Sequence, residues 1–156
     1  MLSLRKWSVD HARTLESGYS RFERLLKALH PMFERIGYTR LERPTAAVEH
    51  AVKRLLFDCQ MCGQCVLGDT GMSCPMNCPK QLRNGPCGGV RPDGGCEVKP
   101  EMQCVWVEAW RGAQSMREGA RIHLVQLPVD ASAMGRSTWL SVARGDEWRV
   151  QTGALT

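Results

Sequence analysis

The residues of this chain that are best suited to chemistry are its cysteines. All eight lie within residues 59–104 of the 156-residue sequence. They are Cys59, Cys62, Cys65, Cys74, Cys78, Cys87, Cys96 and Cys104. Thiols stay reduced inside cells, so a dense group of them indicates metal or redox chemistry ahead of a disulfide scaffold. We therefore predict that all eight cysteines bind a metal ion or a metal cluster.

The spacing of the first three cysteines favours iron–sulfur chemistry. CQMCGQC at residues 59–65 is a Cys-x2-Cys-x2-Cys run, in which one short loop can cover three corners of a cubane cluster. In bacterial ferredoxins the fourth ligand lies elsewhere in the sequence and is followed by proline. Cys74-Pro75 and Cys78-Pro79 both offer that arrangement. Because eight thiolates make two sets of four, the sequence favours two [4Fe–4S] clusters.

Zinc is the main alternative to a second cluster. Tetrahedral structural zinc is also bound by four thiolates, usually supplied as two separated CxxC pairs. This sequence has such a pair at one end only. The alternatives that remain open are one [4Fe–4S] cluster plus one zinc ion, zinc alone, and no metal. Spacing leaves open which cysteines share a site.

No other residues form a recognisable chemical site. The four histidines are scattered at positions 11, 30, 50 and 123, as is typical of surface or packing residues. No Cys/His/Asp group or carboxylate pair stands out by its spacing, so we predict no catalytic residue. RNGPCGG at 83–89 lacks the order of a phosphate-binding loop. Its glycines fit the close backbone approach that a cluster requires.

The charge distribution argues against nucleic-acid binding. The net charge is +5, and residues 1–58 hold 11 Lys/Arg against 7 Asp/Glu. Residues 59–118 hold six of each. A nucleic-acid-binding metal module would concentrate positive charge around its metal. The excess is typical of solvated helix faces.

Targeting and membrane signals are also missing from the sequence. The N-terminus has no apolar h-region of about seven residues and no small-residue cleavage site. No segment holds about 18 uninterrupted apolar residues. We therefore expect a cytoplasmic protein that makes no membrane contact.

Two helices are predicted before the cysteines. Apolar residues recur at steps of three and one over residues 19–36, where Pro31 kinks or divides the helix and Gly37 ends it. A second helix is predicted to follow Pro44, with Thr45 as its N-cap. Its apolar stripe consists of Val48, Val52, Leu55 and Leu56. This helix leads directly to the first cysteine.

The cysteine segment has no hydrophobic periodicity. Glycine, proline, asparagine and aspartate are dense in it, and so long a stretch requires something other than a hydrophobic core to order it. A third helix is predicted over about 102–116. We predict a small α plus irregular, metal-stabilised domain. Its parts are a helical N-terminal region (1–57), a cysteine-rich metal- or iron–sulfur-binding domain (58–118) and an extended C-terminal partner-docking arm (119–156).

The cysteine motifs resemble those of a known family. FDCQMCGQCVLGDTGMSCPMNCPKQLRNGPCGG and GGCEVKPEMQCVWVEAW are similar to the cysteine-rich C-terminal domain or small subunit associated with methylenetetrahydrofolate reductases, of the type found in acetogens and some other bacteria. The similarity is densest over about residues 55–111. CGQC, CPKQLRNGPCGG and CVW are the specific motifs, and each of the eight cysteines has a counterpart in the family.

The resemblance implies a non-catalytic subunit of an oxidoreductase complex. In such complexes a separate (β/α)8-barrel subunit binds flavin and folate and reduces methylenetetrahydrofolate, while the small subunit carries iron–sulfur and in part zinc. Because 156 residues hold no such barrel, we expect flavin and folate on the partner only. The expected function is electron relay to or from that barrel in one-carbon metabolism.

A purely structural role is the alternative function. Here the metal only orders the cysteine segment, and the chain stabilises a folate-dependent partner, either a reductase or a methyltransferase. The two functions differ in whether dithionite bleaches a brown chromophore.

Overall fold

The structure is a computed structural model that describes residues 2–146. Its α-helices are α1 (Leu2–Asp10), α2 (Ala12–Ala28), α3 (His30–Ile36), α4 (Tyr38–Phe57), α5 (Val105–Ser115) and α6 (Thr138–Arg144). Short 3-10 helices span Pro75–Asn77, Gly119–His123 and Ala131–Ala133. Over residues 2–146 there is no strand beyond two isolated bridges, and no helix is long and apolar enough to cross a bilayer. The predicted combination of helices and irregular structure in a small domain is confirmed.

The boundaries of the N-terminal helices differ in part from their prediction. The division near Pro31 is confirmed, because α3 begins at His30 with this proline in its first turn. Gly37 ends α3 with a φ of 96°, as predicted. The predicted start after Pro44 is wrong: α4 begins at Tyr38, Pro44 lies inside it, and Thr45 is not its N-cap.

A tertiary contact accounts for the early start of α4. Glu42 in its first turns accepts a hydrogen bond of 2.6 Å from the backbone N–H of Ser137, which precedes α6. Pro44 lacks the N–H that would otherwise bond to the carbonyl of Arg40. The contact at Glu42 therefore stabilises a helical turn that the proline leaves short of one hydrogen bond.

Most of the apolar stripe of α4 is exposed, and only Leu56 is half-buried against a core cluster. Val48, Val52 and Leu55 are 58%, 43% and 62% exposed. The buried face of the helix carries Glu49 and Lys53, together with Phe57 at its end. A charged pair thus occupies the positions that an amphipathic helix normally gives to apolar side chains.

Helix α6 packs against α2 and α4. Leu140 at its centre is 1% exposed, and Val142 and Ala143 form a small core with Leu26 of α2. Helix α6 therefore lies on the N-terminal helices of the same chain, whereas the 3-10 helix Gly119–His123 packs against α5. Residues 147–156 of the predicted docking arm lie outside the described residues.

The segment between α4 and α5 is held against α5. The Ser73 hydroxyl donates a hydrogen bond of 3.0 Å to the carbonyl of Val105, in the first turn of this helix. The backbones of Gly71 and Gly112 touch, and a Cβ on Gly112 would overlap the carbonyl oxygen of Gly71. The helix itself lies within the predicted span of 102–116.

The close approach at Gly112 yields a stability prediction. Gly112→Ala should lower the free energy of unfolding by about 1–3 kcal/mol, because the added methyl group meets backbone that cannot rotate away. Gly18→Ala, at a helical glycine with nothing within 4 Å of the added carbon, should raise it by about 0.5–1 kcal/mol. Urea unfolding followed by circular dichroism measures both. Equal midpoints for the two variants would contradict the close approach.

Candidate metal centre

The eight cysteines line two cavities, four to each. All eight are free thiols. The first cavity, of about 20 Å³, is lined by Cys59, Cys62, Cys65 and Cys74, which we call the first quartet. The second, of about 10 Å³, is lined by Cys78, Cys87, Cys96 and Cys104, the second quartet. The structure thus divides the cysteines in chain order, with the break between Cys74 and Cys78.

Left-handed turns bring the first quartet together. The C-cap residue of α4 is Asp58, whose φ is 55°, and Met61 and Gly63 follow with φ of 47° and 74°. A Cβ on Gly63 would overlap the carbonyl group of Ala133, so this turn also requires glycine on steric grounds. The backbone N–H of Met61 donates to Cys59 Sγ over 3.3 Å. Such turns aim backbone amides at sulfur, as a bound cluster requires.

Backbone pairing brings the second quartet together. The N–H of Cys96 donates to the carbonyl of Met102 over 2.9 Å, and the N–H of Cys104 donates to the carbonyl of Gly94 over 2.9 Å. Cys104 is also the N-cap residue of α5. The last two cysteines of this quartet are therefore fixed by a small hairpin and by a helix terminus.

Burial controls the protonation of two thiols of the first quartet. It raises the pKa of Cys74 to about 12, and the charge on Cys59 adds to the effect. Burial also raises the pKa of Cys59 to about 11, against the opposing effect of the Met61 hydrogen bond. Without a metal, these thiols therefore remain protonated at neutral pH.

The donor chemistry of both quartets fits the groups expected from the sequence. Four sulfur donors suit a [4Fe–4S] cluster and suit tetrahedral zinc equally well. Within residues 2–146 no three Cys, His, Asp or Glu side chains are arranged to hold a single metal ion. Each quartet surrounds a cavity, and the assignment of its four thiols as ligands remains a prediction.

A buried ion pair forms one wall of the first cavity. Lys53 is 4% exposed, and its Nζ donates to Glu49 Oε1 over 2.6 Å and to Thr138 Oγ1 over 2.7 Å. Burial alone would lower the pKa of Lys53, but the charges of Cys65 and Glu49 outweigh it and hold the pKa above its usual range. Lys53 is therefore a permanent cation beside the first quartet.

Glu49 is satisfied on both of its oxygens. It is 0% exposed, and besides Lys53 it accepts hydrogen bonds from the hydroxyls of Ser137 and Thr138 and from the N–H of Trp139. These three donors form the N-terminal end of α6. A carboxylate at this end of a helix is electrostatically favourable.

The charged residues around the cavities were missed by sequence analysis. Arg83 and Lys53 line the first cavity, and Lys80 lines the second, where it forms an ion pair with Glu97. Sequence analysis counted Lys53 in the mild N-terminal excess of positive charge, and Lys80 and Arg83 in the balanced segment 59–118. The one available signal was that Lys53 lies four residues after Glu49 on a helix, which predicts an ion pair but not its burial.

A large apolar cavity lies next to the first quartet. It has a volume of about 420 Å³ between α2 and α4, and Cys65 and Lys53 line it as well as the first cavity. Its other walls include Tyr19, Phe22 and Trp139. The first quartet is therefore the one that borders an apolar opening.

Comparison with known proteins identifies the family. A family model described as methylene-tetrahydrofolate reductase C terminal matches residues 38–132, which is well over half of the chain. The chain belongs to this family. Searches among curated proteins and among solved structures found no match.

The methylene-tetrahydrofolate reductase C-terminal match covers the whole candidate metal centre. It begins at the first residue of α4 and continues through both quartets and α5. Glu49, Lys53 and Arg83 lie inside it, whereas the α6 partners of Glu49 lie beyond it. Membership links the chain to methylenetetrahydrofolate reductases, in agreement with the resemblance of its cysteine motifs.

The buried ion pair yields a second stability prediction. Lys53→Met should lower the free energy of unfolding by about 3–5 kcal/mol, because Glu49 stays buried without its counter-charge. The double variant Lys53→Met/Glu49→Gln removes both charges and should recover most of that loss. Urea unfolding of the three proteins measures the difference. A single variant as stable as the wild type would show that the pair contributes nothing.

The raised thiol pKa values yield a prediction on pH. Cys59 and Cys74 are protonated at neutral pH, so a metal that binds the first quartet must displace their protons. The apparent affinity for Zn²⁺, used as a probe, should therefore fall at least about tenfold for each unit by which the pH is lowered below about 8. Competition with a chromophoric chelator measures the affinity. A pH-independent affinity would exclude these thiols as ligands.

Proposed function

We propose that this chain is the iron–sulfur subunit of a methylenetetrahydrofolate-reductase-type complex. It would relay electrons to or from a separate subunit that holds flavin and folate in a (β/α)8 barrel. The observation that carries the proposal is the division of the eight cysteines into two quartets around two cavities. Family membership supplies the link to the reductase.

In this proposal each quartet holds one [4Fe–4S] cluster. Bound clusters would supply one-electron transfer, while flavin on the partner carries out two-electron chemistry. The thiolates of Cys59, Cys62, Cys65 and Cys74 hold one group, and those of the second quartet hold the other. The backbone N–H of Met61 stabilises negative charge on sulfur. A reducing cytoplasm is the compartment that keeps eight such thiols available.

The apolar surfaces around α4 support contact with a partner near the first quartet. Val48, Val52 and Leu55 lie at i, i+4 and i+7 on one exposed face of this helix. Val52 also lines the 420 Å³ cavity, and so does Cys65. A partner that covers this face would approach the first quartet and exclude water from it.

The structural alternative rests on the irregular segment between α4 and α5. Its 47 residues from Asp58 to Cys104 contain one 3-10 turn as their only helix. Metal binding would supply folding free energy to such a segment. In this second candidate function the quartets hold zinc, and the chain stabilises its folate-dependent partner without carrying electrons.

Metal and sulfide analysis under anaerobic conditions tests the proposal. The purified chain should contain about eight iron and about eight acid-labile sulfide, and dithionite should bleach its visible absorption. Cys62→Ser and Cys87→Ser should each retain about four iron atoms, because they belong to different quartets. The double variant Cys62→Ser/Cys65→Ser should contain as much iron as Cys62→Ser alone. The double variant Cys62→Ser/Cys87→Ser should contain no iron.

Two outcomes would contradict this proposal in different ways. Zinc without sulfide would exclude electron relay and support the structural alternative. Loss of all iron in the Cys62→Ser variant alone would contradict the division into two independent quartets.

A further inference from the structure

Arg83 is a buried cation that no carboxylate neutralises. It is 8% exposed, and within residues 2–146 no Asp or Glu lies within ion-pair distance of its guanidinium. Its Nη1 donates to Cys62 Sγ over 3.9 Å and its Nη2 to the carbonyl of Gln64 over 3.4 Å. Its Nε is buried without a hydrogen-bond partner. Among residues 2–146 its only hydrogen-bond acceptors are therefore that carbonyl and a sulfur atom of the first quartet.

The neighbours of Arg83 hold it in this position. The carbonyl of Leu82 accepts a hydrogen bond of 3.1 Å from the indole N–H of Trp106. The amide side chain of Asn84 donates to the carbonyl of Gln126 over 2.9 Å and accepts from its N–H over 2.7 Å. Both residues that flank Arg83 are thus held by tertiary hydrogen bonds, which fix the backbone from which its buried side chain extends.

Arg83 lies with the second quartet by its position in the sequence and with the first by the position of its side chain. In sequence Arg83 lies between Cys78 and Cys87, which belong to the second quartet. Its side chain nevertheless lines the first cavity. The loop that supplies ligands to one site therefore supplies a cation to the other.

The other cations at the two cavities already have carboxylate partners. Lys53 pairs with Glu49, and Lys80 pairs with Glu97 on the surface. An arginine side chain keeps its charge at any physiological pH, and an uncompensated buried charge is strongly unfavourable. A neutral thiol is only a weak acceptor, whereas a metal-bound sulfur carries negative charge. The buried charge of Arg83 is therefore neutralised only when Cys62 is an anionic ligand.

We propose that Arg83 is the counter-charge of a metal–thiolate group held by the first quartet, a positioning residue that acts through Cys62. This inference rests on the proposed function only in requiring that the first quartet binds a metal, whether iron or zinc. Where the metal is iron, the guanidinium also stabilises the reduced, more negative state of the cluster in the first quartet. It does so more strongly there than at the cluster of the second quartet.

The rate of metal loss tests this role without relying on activity. Purified wild-type protein, Arg83→Gln, Arg83→Lys and the exposed-charge control Arg21→Met are exposed to excess chelator, and the released metal is followed with time. Arg83→Gln should lose the metal of one site about tenfold faster, because a charge-assisted hydrogen bond is gone. Arg83→Lys should stay close to the wild type, and Arg21→Met should be unchanged. Circular dichroism checks that each variant is folded.

For iron-containing protein, a redox titration monitored by electron paramagnetic resonance adds a second measurement. Arg83→Gln should lower the reduction potential of one of the two clusters by ~59 mV, which for one electron is a tenfold change in the redox equilibrium constant. The other couple should not move. If Arg83 had only a structural role, its replacement would broaden or abolish the resonance signals and would not shift the potential of one cluster alone.

The outcomes separate this inference from the proposed relay. If Arg83→Gln loses metal at the wild-type rate, the inference is wrong and the proposed relay is unaffected. The same holds if Arg83→Gln and Arg83→Lys lose metal at equal rates. Zinc without sulfide in the wild type contradicts the relay, and the chelator comparison then still decides the role of Arg83. Should Arg83→Gln not fold, Arg83→Lys decides alone: retained metal supports the inference and lost metal overturns it.

Discussion

The buried carboxylate of Glu49 is the constraint on which most of the structure depends. It joins α4 to the first turn of α6 through two hydroxyl groups and a backbone N–H, and it balances the charge of Lys53. Helix α6 has seven residues, too few to be stable on its own. Its position on α2 and α4 therefore rests on Glu49 and on the small apolar core that Val142 and Ala143 form with Leu26.

The same ion pair connects the fold to the candidate metal centre. Lys53 forms part of the wall of the first cavity, so the packing of α6 on α4 also sets the position of a cation beside the cysteines. Stability alone does not account for the pair, since well-packed apolar side chains usually stabilise a core as well as a buried ion pair does. A positive charge next to the sulfur atoms that we propose as ligands would give the pair a role that apolar side chains lack.

The sequence predicted the parts of the molecule that follow local rules. The break near Pro31, the stop at Gly37 and the helix after the last cysteine depend on backbone chemistry within a few residues, and all three are present. Helix α6 escaped prediction because its short apolar pattern is stabilised by residues of α2 and α4 that are distant in sequence. The apolar stripe of α4 did not predict the buried face of this helix for the same reason. That face carries Glu49 and Lys53, whose charges neutralise each other in the folded structure.

The candidate site shows the same division between local and distant information. Cysteine spacing indicated the ligand types, but the partition into quartets depends on how the chain turns at Met61, Gly63 and Met72. Arg83 illustrates the limit most clearly, because its sequence neighbours belong to the second quartet and its contact belongs to the first. Side-chain direction at such a position follows from tertiary hydrogen bonds and not from residue order.

If both quartets hold the same group, as we propose, their surroundings make them unequal. The first cavity has two buried cations against the one buried carboxylate of Glu49, so one positive charge remains, and charges act strongly where water is excluded. The cation of the second cavity lies at the surface in an ion pair, where solvent screens it. An added electron would therefore be stabilised more at the first quartet than at the second. That quartet also borders the apolar cavity between α2 and α4. The proposed electrostatic difference and the surface that we propose to contact the partner therefore lie at the same quartet.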